Sequence, residues 1–356
     1  MTRIGSRFSF DDPAELDGLD ALPAGITLVQ FRRRLDDERY HRLGRLLAGR
    51  PEIGLRVFAS PDITDLEFLR FFPALRSFQV DAMWDRLSNL DGLRHLPAEL
   101  DALGIGSTKR PMSLAGLARF GRLRWLAIEG RHRDLEVIGD LRTLETLMLR
   151  SVPLDDLALL TSLDDLTSLD LKLGGTTDLR LLPRVGRLER LEIWQVRGLS
   201  DVSAIAEVRT LRSVFLQALS QVRSLPTFDG LTNLRDVTLH TMKGVTDLTP
   251  LAGAPALETL SLIAMGHLEP AALEPLIGHP TLRRGLWNIG SMRKTYEAHD
   301  VLPIAPEPFG YADWRAGVPY RTILKAWLAA VRIGLREIDG RMVVDPDRRA
   351  PAAQTK

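Results

Sequence analysis

Between Leu188 and Ala254 the apolar positions follow one rule: a step of three, a step of two, then steps of three until the rule restarts. Leu188, Leu191, Ile193, Val196, Leu199, Val202, Ile205 and Val208 form one unit. Leu211, Val214, Leu216, Leu219, Val222, Leu225, Phe228 and Leu231 form the next, and Leu234, Val237, Leu239, Met242, Val245, Leu248, Leu251 and Ala254 a third. The opening ladder, as in "LETLSL" (Leu257 to Leu262), begins at Leu75, Leu100, Leu123, Leu144, Leu166, Leu188, Leu211, Leu234, Leu257 and, degraded, Leu282, at intervals of 21 to 25 residues.

A step of two puts alternate side chains on one face of a strand. Steps of three suit tight turns and single turns of 3₁₀ or α-helix. Each unit therefore reads as one coil: a short strand, a turn and a short return segment. One return segment contains Thr249-Pro250, which predicts an N-cap followed by proline at the first helical position. No single coil can bury its own leucines, whereas stacked coils bury one another's. The column Leu191, Val214, Val237 and Leu260 is expected in the core.

The ladders and the stretch "GVTDLTPLAGAPALETLSL" (Gly244 to Leu262) resemble the leucine-rich-repeat family over roughly residues 50 to 290. The resemblance is to the short bacterial internalin-like repeats and to the similar repeats of a eukaryotic phosphatase regulator. It implies an α/β solenoid, a horseshoe with a parallel concave β-sheet, and a protein partner in place of a substrate. The family pattern LxxLxLxxN also implies an inward asparagine bonding neighbouring coils. Here that place holds Val152, Val196, Leu219, Met242 and Met265, so apolar burial replaces the amide ladder.

Solenoid ends need caps. Residues 1–50 read as an N-terminal cap: a loose start to about residue 20, a strand at "ITLVQF" (Ile26 to Phe31) and a helix at "DDERYHRLGRLLAG" (Asp36 to Gly49). Residues 51–290 form the array. A proline-rich connection, 291–319, precedes an amphipathic helix over 320–345, on which Tyr320, Ile323, Leu324, Trp327, Leu328, Val331 and Leu335 share a face. That helix either covers the last coil, chiefly through Leu324 and Trp327, or serves a partner or membrane surface. Residues 346–356 are expected to be a disordered tail.

Composition narrows the chemistry. The chain has 356 residues, a formal net charge of +1 and no cysteine. The near-zero charge gives no case for a nucleic-acid partner. The lack of cysteine excludes disulfides, thiolate zinc sites and a cysteine nucleophile, including the cysteine ubiquitin ligases carried by some repeat-bearing bacterial proteins. No apolar run reaches about 18 residues, so no membrane span is expected, and no secretory h-region opens the chain. A bacterial, cytoplasmic protein without cofactor or metal is the expectation.

The seven histidines, His41, His95, His132, His240, His267, His279 and His299, lack metal-ligand spacing and are expected at the surface. "GIGSTKR" (Gly104 to Arg110) lacks the G-x-x-x-x-G-K-[ST] spacing of a phosphate loop. An enzymatic alternative would place its site where the array meets the tail, with His299, Asp300, Glu307 and Asp313 as its available groups.

The favoured site is the concave face. The fifth and seventh ladder positions point outward, and the third adds Trp125. A partner is expected to meet Trp125, Glu129, Met148, Arg150, Asp170, Lys172, Glu192, Trp194, Phe215, Gln217 and His240 there, with Gly104 and Gly106 as a low spot. Large apolar groups rimmed by charge mark interfaces. The chain's own C-terminal segment covering these aromatics, or no role for them, are the competing readings. A toxin-neutralising protein or a regulatory subunit would fit the first.

Overall fold

The step of two is a strand in every coil. The computed structural model describes residues 2–4, 7–17, 19–83, 86–304, 315–319, 322, 335–338 and 341–344. Its strands are β1 (Thr2–Ile4), β2 (Arg7–Phe10), β3 (Leu28–Phe31), β4 (Gly54–Phe58), β5 (Ser77–Asp81), β6 (Ala102–Ile105), β7 (Trp125–Glu129), β8 (Thr146–Arg150), β9 (Ser168–Lys172), β10 (Arg190–Trp194), β11 (Ser213–Gln217), β12 (Asp236–His240), β13 (Thr259–Ile263) and β14 (Arg284–Trp287). They lie in sequence order in one sheet; β1 runs antiparallel to β2 and every later neighbour is parallel.

Register follows from the apolar pattern. Leu191 pairs with Val214, Val214 with Val237 and Val237 with Leu260, and each is at most 1% exposed. All eight apolar residues of the unit from Leu188 to Val208 are at most 5% exposed. Coils are also tied by their backbones. At the entries of β6 to β14 two successive N–H groups converge on one carbonyl of the preceding coil, as Arg212 and Ser213 do on Glu189 O at 2.8 and 3.0 Å.

The strand exit resolves the missing asparagine. Ala59, Ala82, Ser151, Leu173, Gln195, Ala218, Thr241 and Ala264 all sit at φ between +48° and +56°, with Gly130 at +97°. This left-handed residue turns the chain off the strand, and its N–H carries the ladder one step further. Ser151 N–H donates to Lys172 O at 2.7 Å, Leu173 to Trp194 O at 2.8 Å, Gln195 to Gln217 O at 2.8 Å and Thr241 to Ile263 O at 2.8 Å. The next residue then falls inward: Val152, Val196, Leu219, Met242 and Met265 are all at most 4% exposed. Met242 N–H lies 3.1 Å from Met265 Sδ, a soft acceptor where the family pattern has an amide.

The return segments are mostly 3₁₀ turns capped one way. A side-chain oxygen accepts the N–H two residues on: Asp65 from Glu67, Asn89 from Asp91, Asp156 from Ala158, Asp178 from Arg180, Asp201 from Ser203 and Asp247 from Thr249, at 2.8 to 3.0 Å. The expected Thr249 cap is thereby corrected. Thr249 and Pro250 lie inside the helix α2 (Thr249–Ala252), and Asp247 does the capping.

The N-terminal cap is more ordered than its sequence suggested. Phe8 and Phe10 are each 2% exposed and Leu16 is fully buried, so the stretch expected to be loose contributes core. The alternation in "RFSF" carries that strand. The helix α1 (Asp37–Ala48) starts at Asp36, whose side chain accepts from Arg39 N–H, and Tyr40 on it packs among Phe31, Phe68, Phe71 and Phe72.

At the other end, the connection expected over 291–319 holds the helix α2's successor, α3 (Met292–Val301), capped by Ser291. The helix expected over 320–345 is corrected in its last part: β15 (Leu335–Ile338) and β16 (Arg341–Val344) pair antiparallel. The Asp339-Gly340 dipeptide between them is hairpin chemistry, and Ile338, Val343 and Val344 favour strand. Leu324 and Trp327, and the tail 346–356, lie outside the described residues.

Two outcomes follow from the strand exits and the caps. Thr241→Gly should raise stability by about 0.5–1 kcal/mol, because glycine relieves a strained β-branched residue at positive φ, whereas Thr238→Gly, inside β12, should lower it; chemical denaturation of both variants checks this. Asp201→Ala should cost about 1 kcal/mol. The caps also make the fold acid-sensitive. The Ser203 N–H holds the Asp201 carboxyl below its usual range, and the Arg180 guanidinium and N–H bring Asp178 to about 2. A depressed folded pKa means stability present above the ordinary carboxylate value, about 3.9, and lost as pH falls through the folded one. The melting temperature should therefore drop between about pH 4 and 2, and Asp201→Ala should flatten that slope.

Candidate functional site

Because strands alternate, the concave face is three rows of side chains running across the sheet. The first row includes Trp125, Thr146, Ser168 and Arg190; the second Ala127, Met148, Asp170, Glu192 and Phe215; the third Glu129, Arg150, Lys172, Trp194, Gln217 and His240. All eleven residues expected at the site lie on this face, but not in one patch.

Six of them meet through ion pairs or cation–ring contacts. Lys172 Nζ lies 3.1 Å from both Asp170 Oδ2 and Glu192 Oε1, with the three side chains 13%, 9% and 16% exposed. Arg150 approaches Glu129 Oε1 at 3.6 Å. The Trp194 ring sits against both cations, 5.9 Å from the Arg150 guanidinium and 6.0 Å from Lys172 Nζ. Phe215, Gln217 and His240 continue the surface; the Phe215 and His240 rings meet edge-on, centroids 6.4 Å apart, and Gln217 stands between Trp194 and His240. Met148 lies beside Asp170. Trp125 is separate, three strands and four residues from Trp194, about 20 Å by strand spacing and rise.

Burial governs the charges. Burial and the neighbouring Asp170 raise the Glu192 pKa above its ordinary value, with Lys172 opposing them. Burial works against the Lys172 charge, but Asp170 and Glu192 outweigh it and raise its pKa. The cluster is thus a nearly dry cation between two carboxylates.

Several features lie outside the expected set. Arg190 donates from Nε to Ser168 Oγ at 2.9 Å and lies 3.6 Å from Asp170 Oδ1. Arg56 binds Asp81 at 2.6 Å, donates to Gln30 at 3.1 Å and stacks 4.6 Å from the Phe58 ring. Leu286, on the last strand, is 52% exposed. Arg190 occupies the outward third ladder position, so the alternation that exposed Trp125 marks it equally.

Two expectations are corrected. Gly104 is buried: a Cβ there would lie 3.1 Å from Gln79 Cγ and 3.6 Å from Trp125 Cζ3. A Cβ at Gly106 would come within 2.5 Å of Asp81. These glycines admit neighbouring coils and leave no low spot. Nor are all histidines superficial. His132 is 8% exposed, its Nε2 3.1 Å from Glu129 O, and burial lowers its pKa. His299 is 3% exposed against Trp287, and burial brings it to about 4. At the junction proposed for an enzymatic site, Asp300 pairs with Arg315 at 3.0 Å, and Glu307 and Asp313 lie outside the described residues. Among the described residues no three histidine or carboxylate groups are placed to hold a metal, and no helix is long and apolar enough to cross a membrane.

The geometry defines a leucine-rich-repeat solenoid. No family model and no curated protein matches the chain. Among solved structures it is similar to an internalin, InlF, of Listeria monocytogenes, with a TM-score of 0.56 and 18% identity over 79% of each chain. An internalin C2 of the same species (TM-score 0.40, 18% identity, 64% of this chain and 83% of that one) and a leucine-rich-repeat protein of Leptospira interrogans (0.42, 14%, 84% and 97%) are also similar. The fold is that of a leucine-rich-repeat protein resembling the internalins.

Lys172→Met should cost about 3 kcal/mol at neutral pH, since it strands two buried carboxylates. Because the folded pKa of Glu192 is raised, protonation relieves that penalty as pH falls through it. The difference in unfolding free energy between variant and parent should therefore shrink from pH 7 toward pH 5. A pH-independent difference would mean that the cluster is not electrostatically coupled.

Proposed function

We propose that this chain is a non-enzymatic scaffold that grips a protein partner on its concave face, with Trp194 and Phe215 as apolar anchors. The observation that carries the reading is the setting of Trp194. It is half-buried, fixed against Arg150 and Lys172, and both cations are held by carboxylates of their own or neighbouring strands. An aromatic group already ordered before binding loses little entropy when a partner covers it. Phe215 and His240 extend the contact area, and Met148 and Trp125 mark its far side. The charged residues set orientation more than affinity, because Glu129, Arg150, Asp170, Lys172, Glu192 and Arg190 neutralise one another.

A toxin-neutralising protein or a regulatory subunit of a cytoplasmic bacterial complex has the required character: one stable partner, one large face and no chemistry. The partner is a protein, since the balanced charges of this face offer no phosphate-tracking row.

Affinity capture on the native chain supplies the partner, and titration calorimetry tests the face. Trp194→Ala should weaken binding by at least about 2 kcal/mol, roughly 30-fold, with little change in melting temperature. Unchanged affinity in the Trp194→Ala, Phe215→Ala double variant would move the interface to the convex side or the tail.

A further inference from the structure

Immediately beyond the third row, where the chain leaves strands β8 to β11, lies an open depression. Its lining includes Ser151, Leu173, Gln195 and Ala218, four consecutive members of the left-handed column, together with Gly174 and Gly175. Arg131 stands at its β7 end and Arg197 three coils on, with Ala218 and Ser220 beyond it; both arginines are exposed, and no carboxylate lines the depression. Among the described residues neither arginine joins an ion pair. Nearby Arg150, Arg180, Arg190 and Arg212 are all paired with acids.

We infer that this depression docks an extended acidic segment of the protein partner, with carboxylates four residues apart reaching Arg131 and Arg197. The inference rests on the concave-face reading, which puts the partner next to this edge. The spacing comes from the fold. Arg131 follows β7 and Arg197 follows β10, three coils apart, so their backbones are about 14 Å apart at the usual strand spacing. Four residues of extended chain span about 13–14 Å. Gly175 leaves room for a peptide backbone, since a Cβ there would meet nothing within 4 Å, whereas Gly174 packs its own coil, a Cβ there lying 3.0 Å from Val152 O. The charge sign follows from the two unpaired guanidiniums, which favour carboxylates bidentately. An acidic segment also complements the site in a way the self-neutralised face beside it does not.

The test uses the full chain and a fluorescein-labelled Gly/Ser heptapeptide with glutamates at its second and sixth positions, read by fluorescence anisotropy at low salt. The peptide should bind weakly, and binding should fall at least about tenfold in Arg131→Ser, Arg197→Ser and with added salt. Gly175→Leu, whose Cβ would meet nothing within 4 Å and whose side chain would occupy the depression, should abolish binding while leaving the melting temperature unchanged. Binding that survives Trp194→Ala, Phe215→Ala but not the arginine changes supports the depression whatever becomes of the concave anchors. No binding to the native chain at millimolar peptide overturns the inference. So does equal binding of the glutamine version, or equal binding by the arginine variant. Tighter, equally arginine-dependent binding of an oligothymidylate overturns the assignment to protein and points to phosphate.

Discussion

Every coil of this chain depends on its neighbours to bury its leucines. The unit from Leu188 to Val208 is sealed only because coils stand on both sides of it, and the same holds along the array. That dependence makes the strand exit the critical turn. The chain must leave the sheet, place one more side chain inward and keep the backbone ladder unbroken. Asparagine-bearing relatives of the repeat pattern do this with an amide. Here a left-handed residue makes the turn, its N–H reaches the next coil, and an apolar side chain fills the vacated place. Each non-glycine residue so placed costs about 1 kcal/mol or more in isolation. Burial of Val196, Leu219 or Met242 offsets it, since each recovers about 1.5–3 kcal/mol on leaving water.

The solenoid was legible because its information is periodic. A step of two repeated at fixed intervals specifies strand, facing and register together, and Leu191, Val214, Val237 and Leu260 pair as that period demands. The ends were less legible because they are not repeats. Phe8 and Phe10 lie in a single short alternation, and the strands from Leu335 and from Arg341 fall within a span whose apolar spacing in the sequence reads as helix. The caps were misassigned at Thr249 because its proline suggested a helix start, while the bonding oxygen comes from Asp247. That aspartate is repeated as Asp156, Asp178 and Asp201, so a column reading finds what a single-helix reading misses.

The candidate face was legible in its membership and not in its connections. Alternation places Glu129, Arg150, Asp170, Lys172, Glu192 and Trp194 outward, but it says nothing about how far long side chains bend across strands. In the structure they close on each other, so Lys172 is already paired with Asp170 and Glu192. Glycines misled for a related reason. Gly104 suggested empty space, yet the large Trp125 on the next strand and Gln79 on the previous one lean over it.

Internal pairing divides the surface into two kinds of charge. Within the three rows, cations and carboxylates satisfy each other, and Arg150 and Lys172 lie against the Trp194 ring. Beyond the rows, the left-handed column bends the backbone away and leaves the depression lined by Gly174, Gly175, Arg131 and Arg197, the two arginines joining no ion pair among the described residues. A partner meeting both would gain contact area from the first and charge complementarity from the second. The replacement of the asparagine ladder therefore shapes the surface as well as the core. The same left-handed turns that let Val196 and its equivalents fill the core also form the walls of the depression, so core and surface here are two sides of one backbone device.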